Sequence, residues 1–348
     1  MFKSMSTKNL LFLPLLMVGI GCSDTSPSFS LLSDNDVFVQ SNNKINTKID
    51  ILWVIDNSGS MQTSQDNLVT NFENFIDGFR DRNYDFQMAV TTTDAYRAIF
   101  TGNPNQSRFR DGTNSTSHTG VFIVTPQTPN FENVFLINVL QGTGGNGDER
   151  AFSSFREALD NPLNTGFLRP DAFLAVIIVS DEDDFSHNSS AFNNNYNYSG
   201  LHTVQSYVDY LDGITNSTAT LKRYSVSAMA IFDEPCRVSL NNSFAGRLIG
   251  IRYEQLVDAT GGKKGSLCGD FAQDLDLISE GIIQSATQFY ISRIPVPETI
   301  KVFINNVQIA PVADPNNPIN GWLYNSSTNS VFFYGSAIPD QGATINIT

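Results

Sequence analysis

Three oxygen-bearing side chains stand at alternate positions in one short polar stretch of the chain. Asp56, Ser58 and Ser60 form an Asp-x-Ser-x-Ser pattern, and Gly59 between the two serines eases a tight turn. A carboxylate and two hydroxyls are hard oxygen ligands of the kind that Mg²⁺ or a similar cation prefers in proteins. The pattern therefore indicates a candidate divalent-cation site.

The segments around this stretch are expected to place it at the edge of a sheet. Residues 49–55 are apolar on both alternating faces and rich in β-branched side chains, which predicts a buried strand of a parallel sheet. From 62 to 79, apolar residues recur at helical spacing. A second buried-strand run, 172–180, is followed directly by Asp181. Open α/β sheets bind ligands at the carboxyl ends of their strands, where Asp56 is then expected.

Three segments of the sequence together resemble one protein family. They are ILWVIDNSGSM, GFLRPDAFLAVIIVSDEDDFS and GTGGNGDER. The first resembles the metal-ion-dependent adhesion site of the von Willebrand factor A (VWA) domain, and all three resemble the VWA lipoproteins of bacteria. The resemblance implies a doubly wound, mostly parallel α/β sheet flanked by helices. It also implies that Asp181 joins Asp56, Ser58 and Ser60 around one Mg²⁺, Mn²⁺ or Ca²⁺ ion.

A glycine-rich segment, 141–150, opens a further predicted helix that runs to about Leu159. VWA domains place a second metal-binding loop here, carrying a threonine, so the resemblance implies Thr143 as a further ligand. The spacing of Thr143 to the helix differs from the common Gly-Gly-Thr-Asn-Thr form, and Asn146 remains the alternative. A phosphate-binding loop is excluded, because no Gly-Lys-Ser/Thr follows the glycines.

The implied ligand set favours binding over catalysis. Ser58 and Ser60 are neutral and Asp56 and Asp181 supply only two carboxylates, so the ion would keep part of its positive charge. Mg²⁺ also keeps water in its shell, and an Asp or Glu of a partner can displace one such water. We therefore expect a protein partner that presents a carboxylate, and we expect no enzymatic activity.

The histidines and serines provide no sign of a hydrolase. His118, His187 and His202 lack the spacing of metal ligands, and the first two lie in polar segments, where surface imidazoles are expected. The residues at 57–60 do not form the Gly-x-Ser-x-Gly elbow of a serine hydrolase.

Two other functions stay open from the sequence. One is an envelope scaffold that binds its partner without the metal. The other is a metal-dependent phosphoesterase, which is disfavoured because Asp56 lacks a neighbouring acid and hydroxyls stand where a two-metal site needs carboxylates. Glu182, Asp183 and Asp184 are expected to form a solvated acidic surface rather than to add ligands.

The overall charge argues against one class of partner. The 348-residue chain has a formal net charge of −14. An acidic protein is a poor candidate for nucleic-acid binding, because phosphate neutralisation needs clustered Lys and Arg. A hydrophobic content of 41% with 16% charged residues describes a folded globular protein.

The N-terminal segment has the pattern of an export signal. Residues 1–8 are basic and polar, and the apolar core at 10–20 is too short to span a bilayer comfortably. The small residue before Cys22 resembles a bacterial lipobox, which implies removal of residues 1–21 and a lipid on the Cys22 sulfur. Ordinary signal cleavage beside an incidental cysteine is the alternative. Ser23 implies outer-membrane sorting by the same resemblance, with the lipid as the membrane contact.

Cys236 and Cys268 are the other two cysteines of the chain. In an exported protein, the two cysteines that remain after Cys22 are predicted to form one disulfide. Two separate buried thiols are the alternative.

Changes in the residue pattern divide the sequence into four parts. After about residue 290, short alternating runs and an Asn305-Asn306 turn predict a small C-terminal module of antiparallel strands. The predicted parts are a signal peptide at 1–21, a lipidated tether at 22–48, a VWA domain at 49–290 and a β module at 291–348.

Overall fold

A computed structural model of the chain describes residues 43–44, 47–113, 117–219 and 221–348. The predicted signal peptide, Cys22 and most of the predicted tether lie outside the described residues. In the part that is described, no helix has both the length and the apolar character needed to cross a membrane.

The described residues form helices on both sides of a central sheet and a second region built of strands. The helices are α1 (Gln62–Thr70), α2 (Phe72–Arg80), α3 (Ala98–Thr101), α4 (Phe131–Val139), α5 (Ala151–Asp160), α6 (Val204–Thr215), α7 (Glu234–Asn241), α8 (Ile251–Thr260) and α9 (Phe271–Ala286). The strands are β1 (Asn43–Lys44), β2 (Lys48–Ile55), β3 (Asp85–Thr92), β4 (Gly112–Thr113), β5 (Ser117–His118), β6 (Phe173–Val179), β7 (Tyr224–Ala230), β8 (Lys264–Ser266), β9 (Phe289–Tyr290), β10 (Val302–Ile304), β11 (Val307–Ile309), β12 (Gly321–Asn325), β13 (Ser330–Tyr334) and β14 (Thr344–Ile347).

The central sheet is parallel and has the strand order β3-β2-β6-β7-β8. Ile55, the last residue of β2, pairs with Thr92 of β3 on one side and with Val179 of β6 on the other. The three strands therefore end at the same level. The polar residues that follow them leave the sheet at one common edge. The parallel α/β sheet predicted from the buried-strand runs is confirmed.

Strand β2 is buried on both faces, as the apolar run at 51–55 predicts. Trp53 packs edge-on against Phe75 of α2, with 4.9 Å between the ring centroids. Leu52 and Val54 point to the opposite face, where they belong to a core cluster that includes Phe152 of α5. Burying a side chain as large as Phe152 contributes about 1.5–3 kcal/mol. These two packing layers hold the end of β2 in place.

The segment at 62–79 is two helices rather than the single amphipathic helix predicted. The break is at Asn71, whose backbone is not helical and whose side-chain amide donates to the Asn67 carbonyl at 2.8 Å. Asn side chains that hydrogen-bond nearby backbone groups compete with continued helix. The apolar spacing alone did not reveal this competition.

The C-terminal region forms two antiparallel sheets, in the orders β1-β14-β10-β11 and β12-β13-β9. The pairings cross the predicted domain boundaries, because β1 comes from the predicted tether and β9 from the predicted VWA domain. The Tyr84 hydroxyl donates to the Pro339 carbonyl, and the Gln341 amide donates to the Arg82 carbonyl at 3.1 Å. These two bonds attach the C-terminal region to the loop before β3.

A disulfide joins Cys236 of α7 to Cys268, which follows β8, as predicted from the cysteine count. Both α7 and β8 were missed from the sequence. Helix α7 starts at a side-chain cap, in which Asp233 accepts from the Cys236 amide at 2.8 Å. The cross-link therefore attaches α7 to the far edge of the parallel sheet.

Candidate cation site

Asp56 ties together the ends of β2 and β6. Its amide donates to the Val179 carbonyl at 2.9 Å, and the Ser180 hydroxyl donates to its Oδ2 at 2.8 Å. Its Oδ1 accepts from the Ser58 amide at 2.7 Å, which folds the chain back over the strand end. The side chain lies at the carboxyl end of β2, as expected, and is fully buried.

The two serines link Asp56 to Asp181. The hydroxyls of Ser58 and Ser60 lie 3.3 Å apart, and the Ser60 hydroxyl donates to Asp181 Oδ1 at 2.9 Å. The structure thus brings Asp56, Ser58, Ser60 and Asp181 into one hydrogen-bonded cluster. The four residues come from two strand ends that are separated by more than a hundred positions in the sequence.

The glycine-rich loop docks against this cluster through its backbone. Gln65 binds both polar groups of Gly142, and the Gly145 amide donates to the Asn57 carbonyl at 2.7 Å. A Cβ on Gly145 would lie 2.5 Å from Asn57 Cγ, so the close approach requires glycine. The loop is held by glycines and by Gln65 rather than by a threonine.

Neither Thr143 nor Asn146 belongs to the hydrogen-bonded cluster. Across the part of the chain that the structure describes, Thr143 makes no hydrogen bond to Asp56 or to the other three cluster residues. The Asn146 side chain is exposed, and its backbone amide donates to Asp94 Oδ2 at 3.1 Å. The second-loop ligand implied by the resemblance thus stays a prediction for either residue.

Glu149, which ends the same loop, was missed in the sequence. Its side chain is 2% exposed, and among the described residues neither carboxylate oxygen has a hydrogen-bond partner. Burial raises the pKa of Glu149 well above its ordinary value, and the negative charge of Asp56 adds to the rise, while the Thr93 hydroxyl opposes it. The only signal in the sequence was the acidic pair Asp148-Glu149 directly after the glycines.

Two further carboxyl groups at this edge have raised pKa values. Burial, and then the charge of Asp181, raise the pKa of Asp56 to about 7. Burial, and then the charges of Asp56 and Asp181, raise the pKa of Glu182 to about 8. The hydrogen bonds at this edge of the sheet are too few to stabilise all of its carboxyl groups in the ionised form. A bound cation would relieve that excess.

Arg247 provides one positive charge at the site. Its Nε donates to Asp181 Oδ2 at 2.6 Å, and Nη2 donates to the Ser60 carbonyl at 3.1 Å. Its Nη1 donates to the carbonyls of Leu240 and Phe244, both at 2.6 Å. Arg247 therefore pairs with Asp181 and closes the loop after α7 against the cluster. Nothing in the local pattern around Arg247 indicated this contact.

Asp183 and Asp184 are buried, so the prediction of a solvated acidic surface is wrong for both. Asp184 accepts from the Phe152 amide at 2.9 Å and from Arg252 Nη2 at 3.2 Å. Asp183 accepts from the Tyr196 hydroxyl at 2.8 Å and from the Arg252 amide at 3.0 Å. The two acids bind the first turns of α5 and α8, where backbone amides lack helical partners.

His187 is also buried, at 1% exposure, and not a surface imidazole. Its Nδ1 lies 2.7 Å from the Phe185 carbonyl and its Nε2 lies 3.0 Å from the Ala191 carbonyl. It organises the loop after Asp184. His118 is exposed, as expected, and lies beside Asp111.

The donor set suits a cation held by mixed ligands. Within residues 43–44, 47–113, 117–219 and 221–348, no three His, Cys, Asp or Glu side chains are grouped so that they could hold a metal ion by themselves. Buried oxygens without hydrogen-bond partners nonetheless occur on the segments that follow β2 and β3 and on the glycine-rich loop. They are Asn57 Oδ1, Thr93 Oγ1, Asp94 Oδ1 and both carboxylate oxygens of Glu149. Hydroxyls, carboxylates and retained water are the ligands that Mg²⁺ accepts.

The sequence matches no family model and no curated protein. Among solved structures, the pilus adhesin SpaC from Lactobacillus rhamnosus GG in its open conformation has a TM-score of 0.43 and 11% identity, over 88% of this chain and 39% of that chain. Proximal thread matrix protein 1 from the mussel byssus has a TM-score of 0.37 and 12% identity, over 68% of this chain and 48% of that chain. The chain thus spans less than half the length of either structure. Likenesses at this level do not indicate a shared function.

Proposed function

We propose that this chain is a lipoprotein of the bacterial envelope whose VWA domain binds a protein partner through a divalent cation. The observation that carries the proposal is the hydrogen-bonded cluster of Asp56, Ser58, Ser60 and Asp181 at the carboxyl ends of two adjacent parallel strands. A bound Mg²⁺, or Mn²⁺ or Ca²⁺ in its place, would supply a positive centre for an Asp or Glu of the partner.

The cluster is suited to hold a cation without breaking its own hydrogen bonds. Ser60 gives its proton to Asp181, so the lone pairs of its hydroxyl remain available as ligands. Ser180 likewise donates to Asp56 and fixes that carboxylate at the strand end. Two neutral hydroxyls leave part of the charge of the cation uncompensated, which favours binding of a carboxylate over catalysis.

The leader supports the proposed location. The apolar core at 10–20, closed by Gly21 and Cys22, supports export and lipid attachment, with the outer membrane as the destination. The disulfide between Cys236 and Cys268 supports an oxidising compartment. The proposed partner is a protein, since a chain with a net charge of −14 is a poor candidate for binding nucleic acid.

Arg247 favours a second candidate function, a scaffold that works without metal. Its guanidinium already stands beside Asp181 and binds the Ser60 carbonyl. A protein with this built-in cation could keep the edge of the sheet folded and bind its partner directly. The two functions differ in whether partner binding needs the cation.

Calorimetric titration of the protein with Mg²⁺ and with Mn²⁺ tests the first step, using Asp56→Asn as the matched variant. We expect binding of one ion to the wild type and loss of that binding in the variant, because an amide removes one of the two charges in the cluster. Absence of ion binding by the wild type would overturn the cation mechanism.

Capture of envelope proteins on immobilised wild type and Asp56→Asn, each with Mg²⁺ and with chelator, tests the second step. A partner retained by the wild type only with Mg²⁺ supports the adhesion site. A partner retained equally in all four conditions supports the scaffold instead.

A further inference from the structure

Glu149 is a buried carboxyl group that forms no hydrogen bond or salt bridge among the described residues, although the Thr93 hydroxyl is close enough to oppose the rise of its pKa. Its neighbour Asp148 is also buried but is bound by Arg150, with 2.7 Å between Nη2 and Oδ2 and 3.0 Å between Nε and Oδ1. The guanidinium of Arg150 also donates hydrogen bonds to backbone carbonyls of the loop at 187–191. Glu149 is thus left with two unpartnered oxygens. A buried ionised acid without a partner lowers the stability of the fold unless water or a cation pairs with it.

Glu149 lies beside the proposed cation site. Its backbone carbonyl accepts from the Phe185 amide at 2.9 Å, which anchors it beside the segment that follows β6. The charges of Asp56, Glu182 and Asp94 all act on its carboxyl group. The guanidinium that binds the cluster, that of Arg247, is taken up by Asp181 and three backbone carbonyls.

Other unpartnered oxygens lie on the segments next to Glu149. Thr93 follows β3 and contributes a buried hydroxyl. Asp94 Oδ2 accepts hydrogen bonds from the Asn57 side-chain amide and the Asn146 backbone amide. Asp94 Oδ1 has no hydrogen-bond partner, and Arg97 Nη1 lies 3.9 Å from it. Oxygens that need donors or a cation therefore accumulate on the β3 side of Asp56.

We propose that Glu149 is the glycine-rich loop's contribution to the cation site, accepting hydrogen bonds from water on a cation held by Asp56, Ser58, Ser60 and Asp181. This inference rests on the proposed function and deepens it. Contact through water fits the absence, among the described residues, of three acids grouped closely enough to bind a metal directly. Mg²⁺ keeps several waters when it binds protein, and each water offers two hydrogens to oxygens such as those of Glu149.

Glu149 changes what the site can do before a partner arrives. Asp56, Asp181, Glu182 and Glu149 are four carboxyl groups at this edge, and Arg247 pairs with Asp181. A cation whose water contacts Glu149 is therefore expected to be held in the free protein, and a partner's carboxylate would exchange with water on an ion that is already in place.

The test compares Glu149→Gln with one control variant, using Mg²⁺ and Mn²⁺ alone as probes. Glu73→Gln removes one negative charge from an exposed position on α2. Ion affinity is measured by calorimetry, and thermal stability is measured with chelator and with saturating Mg²⁺.

We expect Glu149→Gln to bind Mn²⁺ at least about tenfold more weakly than the wild type and to lose most of the rise in Tm that Mg²⁺ produces. In chelator its Tm should equal or exceed that of the wild type, because a neutral amide replaces a buried acid whose ionised form no protein group pairs. The Glu73→Gln control should stay within about twofold of wild-type affinity. A purely structural role for Glu149 would lower Tm in chelator and leave ion affinity unchanged.

Wild-type affinity in Glu149→Gln would overturn the inference while leaving the cation mechanism intact. Failure of the wild type to bind either ion would overturn both. If Glu149→Gln does not fold, Glu149→Asp keeps the charge on a side chain one methylene shorter. That variant is expected to bind about threefold or more weakly, and wild-type affinity in it would count against the role of Glu149.

Discussion

Arg247 Nε lies 2.6 Å from Asp181 Oδ2, so the distal carboxylate of the candidate site is paired with a cation that belongs to the protein itself. Both side chains are almost completely buried. The same guanidinium binds the Ser60 carbonyl and thus links the loop after α7 to the Asp-x-Ser-x-Ser turn. The pair connects the stability of the fold to the charge of the site.

Replacing Arg247 should destabilise the protein and make its stability depend on metal. Arg247→Met leaves Asp181 buried without its partner, a change that costs about 3–5 kcal/mol in comparable buried pairs. Mg²⁺ should restore part of this loss, because it supplies the missing positive charge. Urea unfolding with chelator and with Mg²⁺ measures both effects.

Arg237→Met is the matched control for that experiment. Arg237 pairs with Glu234 on the exposed surface of α7, where water and salt weaken the interaction. Its loss should leave stability nearly unchanged with or without Mg²⁺. A loss in Arg247→Met no larger than in Arg237→Met would show that the buried pair contributes little.

The metal-free protein should lose stability as the pH rises through the pKa of Asp56. That pKa is about 7 in the folded protein against an ordinary value of 3.8, so the folded state binds the proton more tightly than the unfolded state. The stabilising contribution is therefore complete below about pH 4 and disappears as the pH passes about 7, at a cost of a few kcal/mol. Urea unfolding in chelator between pH 4 and pH 8 measures the slope.

Two comparisons test the assignment of that slope. Asp56→Asn should reduce it, because an amide does not titrate, and Glu149 and Glu182 should account for the slope that remains. Saturating Mg²⁺ should reduce it in the wild type, because a bound cation favours the carboxylate. A slope that is the same in the wild type and in Asp56→Asn would assign it to other groups.

Loss of the Cys236–Cys268 disulfide should lower stability by about 3–4 kcal/mol, the value expected for a cross-link that closes a loop of roughly thirty residues. Replacing both cysteines with serine also frees α7, which precedes Arg247, from the edge of the sheet. We therefore expect weaker Mg²⁺ binding as well as a lower Tm. A variant with wild-type Tm and wild-type Mg²⁺ affinity would show that α7 is held well enough by its packing.

Cys22→Ser should release the protein from the membrane fraction. The lipid proposed at Cys22 is the expected membrane contact, and stable attachment requires more than one acyl chain. Cell fractionation followed by immunodetection measures the change, and the Cys236/Cys268 double serine variant serves as the control that should stay with membranes. Continued membrane association of Cys22→Ser would show that the protein is held in another way.

The sequence by itself determined the parallel sheet and the polar turn that follows its central strand. Strand β2 was predictable because its residues are apolar on both alternating faces, and that pattern requires burial on both sides. The Asp-x-Ser-x-Ser turn was predictable because its residues are neighbours in the chain. The disulfide followed from the even number of cysteines after the leader, without any geometry.

The tertiary structure alone decided which charges surround that turn. The pairing of Ile55 with Val179 places Asp56 and Asp181 at one edge, and Arg247 reaches Asp181 across 66 positions of sequence. Asp184 appeared to belong to a solvated acidic run, but it is buried because the first turn of α5 and Arg252 bind it. Local composition describes what a side chain is, while its burial, its partners and therefore its charge depend on elements that packing brings from elsewhere in the chain.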